Sequence, residues 1–103
     1  MQVLVRSKSF PVTAALREFI ERQAAQLDKG SWKLLRVEAS LEKTREQARA
    51  LIKVMTPHRK PIVVEKVSGD IYQAITEAID RSHRALRKQR ERTLTARKHR
   101  AYT

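Results

Sequence analysis

The 103 residues predict an α+β sandwich in the order β-α-β-β-β-α, with two helices packed on one face of a four-stranded sheet. Three observations predict it. Apolar residues recur at helical spacing in two stretches, one after Thr13 and one after Asp70. Between them lie three segments with strand character, two of them alternating apolar and polar residues with a period of two. The reversals joining those three segments are too short for a crossover, so the strands form an antiparallel meander.

Each element has its own local reasons. Gln2 to Arg6 places Val3 and Val5 on one side and reads as an opening strand. Phe10-Pro11-Val12 connects it to Thr13, a residue type whose hydroxyl caps a first helical turn. Leu16, Phe19, Ile20, Ala24 and Leu27 then mark a helix over residues 14–29, with Gly30 as its C′ residue. Leu35, Val37, Ala39 and Leu41 alternate with Arg36, Glu38, Ser40 and Glu42 as a half-buried strand. Lys43 to Gln47 is a polar reversal, and Ala50, Ile52 and Val54 alternate with Leu51, Lys53 and Met55. Pro57-His58-Arg59-Lys60-Pro61 turns the chain again, because two prolines fix φ and withdraw ladder donors. Ile62 to Val67, rich in β-branched residues, is the last strand. Ser68-Gly69-Asp70 opens a second helix whose inner face is Ile71, Ile75, Ala78, Ile79, Ser82, Ala85 and Leu86. That helix is expected to reach about residue 92. Residues 1–94 then form one domain, and 95–103 a basic, flexible tail.

Composition excludes several classes. There is no cysteine, so there is no disulfide framework, thiolate zinc site or cysteine nucleophile. No apolar run approaches the roughly 20 residues that span a bilayer, and the N-terminus lacks a signal-peptide pattern. The expected setting is cytoplasmic. His58, His83 and His99 show no metal-ligand spacing, and the two glycines, Gly30 and Gly69, make no phosphate loop. No Ser or Thr has a His and an acid in a recognisable order. The expectation is therefore no enzyme, no cofactor, no metal and no small-molecule substrate. Asp70, Glu77 and Asp80 need no role beyond favouring the early turns of a helix. Trp32 reads as a packing residue at the helix–sheet junction, and Tyr72 as either core rim or contact residue.

Charge is the informative property. The chain carries 23 Lys and Arg against 11 Asp and Glu, a net charge of +12. Residues 81–103 hold nine of those bases and one acid, Glu91, so two-thirds of the net charge lies in the last fifth of the chain. On the second helix Arg81, Arg84, Lys88 and Arg92 fall in one sector along about 16 Å, and Arg87 and Arg90 broaden the patch. A basic helix face is ordinarily a solvated face, with Glu interspersed in i,i+4 pairs. Here those acids are missing, and the patch points to a polyanion. Arg prevails over Lys in the row, which suits bidentate phosphate contacts. A membrane surface would need large apolar groups beside the cations, and the sheet claims that side of the helix.

These residues also carry a family pattern. Asp70-Ile71-Tyr72-Gln73-Ala74-Ile75, then Ala78-Ile79-Asp80-Arg81, then Arg84, Leu86, Lys88, Arg90 and Arg92 closely resemble the ribosome hibernation-promoting factor family. That family is also called ribosome-associated inhibitor or sigma-54 modulation proteins. Thr13-Ala14-Ala15-Leu16-Arg17-Glu18-Phe19 resembles its first-helix opening, and the likeness covers residues 1–94. The element order is that family's fold too, which is similar to double-stranded-RNA-binding domains.

The resemblance implies a short-form member that binds the small ribosomal subunit and its ribosomal RNA. Its place would be the channel of messenger RNA and of the A- and P-site transfer RNAs, and it would inhibit translation under starvation or in stationary phase. It also implies that Arg81, Arg84, Lys88 and Arg92, flanked by Arg87 and Arg90, contact RNA phosphates, with Arg17 and Arg22 as the cations of the first helix. One departure is that Gln23 and Gln26 stand where relatives commonly carry Lys or Arg. The residues alone leave two other readings open: a general double-stranded RNA or DNA binder, and a protein-interaction regulator of a polymerase factor.

Overall fold

The computed structural model describes residues 1–28 and 33–101, with side chains as far as Arg90. The elements are β1 (Gln2–Ser7), α1 (Ala14–Leu27), β2 (Arg36–Lys43), β3 (Ala48–Met55), β4 (Ile62–Ser68) and α2 (Ile71–Ala101). The sheet order is β1-β2-β3-β4. α1 carries the chain back between β1 and β2, so those strands pair in parallel, while the remaining pairs are antiparallel. The expected β-α-β-β-β-α sandwich is what forms.

Register decides which side chains meet the helices. Val3, Val37, Val54 and Ile62 make one row across the sheet, and Val5, Ala39, Ile52 and Val64 the next. Val37, Ala39, Ile52 and Val54 are buried beneath the helices with Leu16, Ile20, Leu27 and Ile75. The opposite face stays open and carries alternate residues. There Arg49 lies between Glu65 at 3.5 Å and Glu42 at 3.9 Å, and Arg36 meets Glu38 at 3.3 Å. Pairs this exposed stabilise little, about 0–1 kcal/mol each. The apolar face holds the fold.

Caps fix where the helices begin. Thr13 is extended (φ −78°, ψ 160°), and its hydroxyl oxygen accepts the Leu16 N–H at 3.2 Å. Asp70 Oδ1 accepts the Tyr72 N–H at 3.3 Å at the start of α2. Thr13→Ala should cost about 1 kcal/mol, lowering the thermal midpoint by about 4–8 °C in a domain of this size. A calorimetric midpoint unchanged by Thr13→Ala would show that the cap is dispensable.

Along α2 the fully buried small residues Ala74, Ala78 and Ser82 recur every four positions, letting the helix lie close to its neighbours. The Ser82 hydroxyl donates to the Ala78 carbonyl at 2.8 Å, so the buried oxygen is not left unsatisfied.

Three boundaries differ from the sequence reading. Leu34 is buried and Leu35 is 50% exposed, the reverse of the expected placement. The period-two pattern holds only within the ladder, and β2 begins at Arg36; ahead of it the incoming chain sets which leucine turns inward. α1 ends at Leu27 with Asp28 as its C-cap, slightly short of the expected end at 29. α2 continues to Ala101, past the expected end near 92. No Gly or Pro interrupts it there, and Arg, Lys, Gln, Leu and Ala are good helix formers even without a face to bury. The roles expected of Gly30 and Trp32 lie outside the described residues.

Candidate nucleic-acid interface

α1 and α2 lie side by side on the same face of the sheet, α2 over β3 and β4 and α1 toward β1. Because β4 and α2 are joined by a tight connection, the helix runs back along the strand. Its basic second half therefore comes level with the start of β4 and the turn that precedes it.

One aromatic contact orients the cations. Phe19 of α1 meets Tyr72 of α2 edge to face, with ring centroids 5.0 Å apart and planes inclined by 72°. At about 100° per residue, Tyr72, Ile79, His83 and Arg90 share one flank of α2, so this flank faces α1. Arg81, Arg84 and Lys88 share the other flank, above the edge strand β4. Arg87 points outward between the two. Arg81, Arg84, Arg87, Lys88 and Arg90 are all exposed. The Arg92 side chain lies outside the described ones.

The row is electrostatically unbalanced. No acid occurs between Arg81 and Arg90 in the sequence. Arg84 reaches back one turn to Asp80 at 3.1 Å, but the two side chains are 74% and 60% exposed. An i,i+4 pair of that kind contributes about 0.3–0.5 kcal/mol and leaves the guanidinium available to a stronger anion.

α1 contributes less. Arg17 and Arg22 are both exposed, yet helical spacing from Phe19 puts only Arg22 on the side toward α2. Arg17 lies on the flank away from it. Gln23, half-buried, and Gln26, exposed, stand on the Phe19 side, so amides rather than cations line that side of α1. The structure thus brings Arg81, Arg84 and Lys88 together, sets Arg22 and Arg90 on the sides where the helices face each other, and leaves Arg17 apart. His83 is half-buried. Tyr72 proves to be a partly exposed rim residue anchored on Phe19.

The structure adds one element that sequence reasoning treated only as a reversal. Arg59, in the turn between β3 and β4, donates from Nη1 to the Gln89 carbonyl at 3.2 Å. The signal was present in Pro57-His58-Arg59-Lys60-Pro61, a basic turn held between two prolines. Nothing local says which helix face such a turn will meet.

The described residues contain no group of three or more His, Asp or Glu able to hold a metal ion. No described helix is long and apolar enough to cross a membrane.

The sequence model of the family described as sigma 54 modulation protein / S30EA ribosomal protein matches residues 3–94. The chain belongs to this family. The match spans every strand, both helix starts and the whole cation row, and it bears out the resemblance seen in the sequence. Solved structures show the same S30EA-family fold. The N-terminal domain of Protein Y from Thermus thermophilus superposes with a TM-score of 0.78 at 28% identity, covering 85% of this chain and 98% of that one. A ribosomal subunit interface protein from Coxiella burnetii gives a TM-score of 0.80 at 15% identity, covering 88% and 99%. At that identity the second likeness speaks for the fold alone. No curated protein matches the chain in sequence.

Proposed function

We propose that this S30EA-family chain is a ribosome hibernation factor. In this reading it binds the small ribosomal subunit in the channel of messenger RNA and transfer RNA and inhibits translation in starved or stationary cells. The observation that carries the reading is the row Arg81, Arg84 and Lys88, exposed on one flank of α2 in a stretch with no acid. Membership in a family described as a ribosomal protein supports ribosomal RNA as the polyanion.

The mechanism is occlusion. The cations of α2 displace counterions from RNA phosphates, and the sheet holds the helix rigid, so its bulk excludes messenger and transfer RNA. No bond is made or broken. Counterion release makes affinity steeply salt-dependent: with about six phosphates neutralised, binding should weaken by about 10³-fold between about 50 and 200 mM salt.

Sedimentation with vacant ribosomes on sucrose gradients tests this. Near-stoichiometric comigration with small subunits, lost on adding messenger and transfer RNA, is the expected result. Comigration competed away by any duplex RNA would make the patch a generic RNA binder. Salt-insensitive association with one acidic protein would instead favour a regulator of a polymerase factor.

A further inference from the structure

The β3–β4 turn is fastened to α2 at a position where fastening brings like charges together. Arg59 Nη1 bonds the Gln89 carbonyl at 3.2 Å, and Gln89 stands between Lys88 and Arg90 in the chain. At about 100° per residue Lys88 and Arg90 point to opposite flanks of α2 on either side of Gln89, so the Arg59 contact falls on the turn of helix that carries both cations. Arg87 closes the outer side. Residues 56–64 contain no acid, and neither do residues 81–90. Arg87, Lys88 and Arg90 of α2 are therefore joined here by two cations of a different element, Arg59 and Lys60, with Glu91 the next acid along the chain.

The turn is also built to be stiff. His58 adopts φ 61°, the left-handed region that is strained for most side chains and better tolerated by Asn, Asp and His. Pro57 and Pro61 fix the backbone on either side of it. His58, Arg59 and Lys60 are all exposed. A clip needed only to hold the helix would not require Lys60 beside Arg59. Gathering cations from two elements in one place is unfavourable unless an anion is to fill it.

We infer that the β3–β4 turn is a second RNA-contacting arm, in which Arg59 and Lys60 bind backbone phosphates together with Lys88. A phosphate strand running along the Arg81–Arg84–Lys88 flank would meet the turn as it passes the start of β4. This inference rests on the ribosomal RNA reading above and extends it from one helix to two elements.

The test is Arg59→Gln combined with Lys60→Gln, measured as affinity for purified small subunits across a salt series, beside the unaltered protein. Two lost phosphate contacts should lower the slope of log K against log salt by about two. Affinity at about 100 mM salt should fall at least tenfold, with the thermal midpoint shifted by only a few degrees. A folded double variant with unchanged slope and affinity would overturn the proposal, making the turn a structural clip. Should the double variant unfold, Lys60→Gln alone should still lower the slope by about one, and an unchanged slope there overturns the proposal equally. If the unaltered protein itself fails to bind small subunits, the ribosomal reading falls, and the turn's role in it falls too. The two failures are thus distinguishable.

Discussion

Arg84→Glu combined with Lys88→Glu should abolish ribosome binding while leaving the domain folded. Both side chains are exposed on the β4-side flank of α2, and neither is part of the core. Reversal removes two cations from the row and puts two anions in their place, so two favourable phosphate contacts become two repulsive ones. The expected loss is at least about 100-fold at about 100 mM salt. The structural cost is small. The substitution breaks the exposed Arg84–Asp80 pair and sets a new carboxylate one turn from Asp80. Together these cost about 1 kcal/mol or less. Crowding among Arg81, Arg87 and the replaced positions is relieved at the same time, which offsets part of it. Gradient sedimentation read beside a thermal melt checks both halves. Undiminished binding by the folded variant would remove this flank of α2 from the interface, and attention would pass to Arg22 and Arg90 on the flanks turned toward each other.

The largest effect on stability should come from Ile52→Ala. Ile52 is fully buried on an inner strand, in the row Val5, Ala39, Ile52, Val64 that runs beneath the helices. Truncating it removes three buried carbons and opens a void that β3, paired on both edges, cannot readily close. Such losses cost about 3–4 kcal/mol, and in a domain of about 100 residues the midpoint should fall by about 12–25 °C. Below the new midpoint each folded molecule should bind ribosomes as before, since no cation of the row has moved. A fall of less than about 5 °C, worth roughly 1 kcal/mol, would show that the sheet relaxes into the space. Weakened binding at a temperature where the variant is fully folded would show that core packing tunes the position of α2.

The charge row and the core are thus separable, and α2 shows why. Its inner face reads Ile71, Ile75, Ala78, Ile79, Ser82 and Leu86, all buried. Its cations fill the remaining sectors in a second half with no acid from Arg81 to Arg90. Ala74, buried as completely, was missed because a single alanine carries little periodic signal.

By itself the sequence determined the element order, most of the inner faces of α1, β2, β3 and α2, the Thr13 cap and the basic half of α2. These are local properties: side-chain period, capping chemistry and charge are set within a few residues and survive whatever the rest of the chain does. Only the tertiary structure decided that β1 pairs in parallel with β2 at one edge and that α2 runs back over β3 and β4. It alone showed that Phe19 against Tyr72 turns Arg90 toward α1 and leaves Arg81, Arg84 and Lys88 above β4. It alone joined Arg59 to Gln89, which lie 30 positions apart in the chain. The physical reason is the same in each case. Which flank of a helix meets a neighbour depends on strand register and on the packing of distant apolar rows. A cation's own sequence neighbourhood carries no information about either.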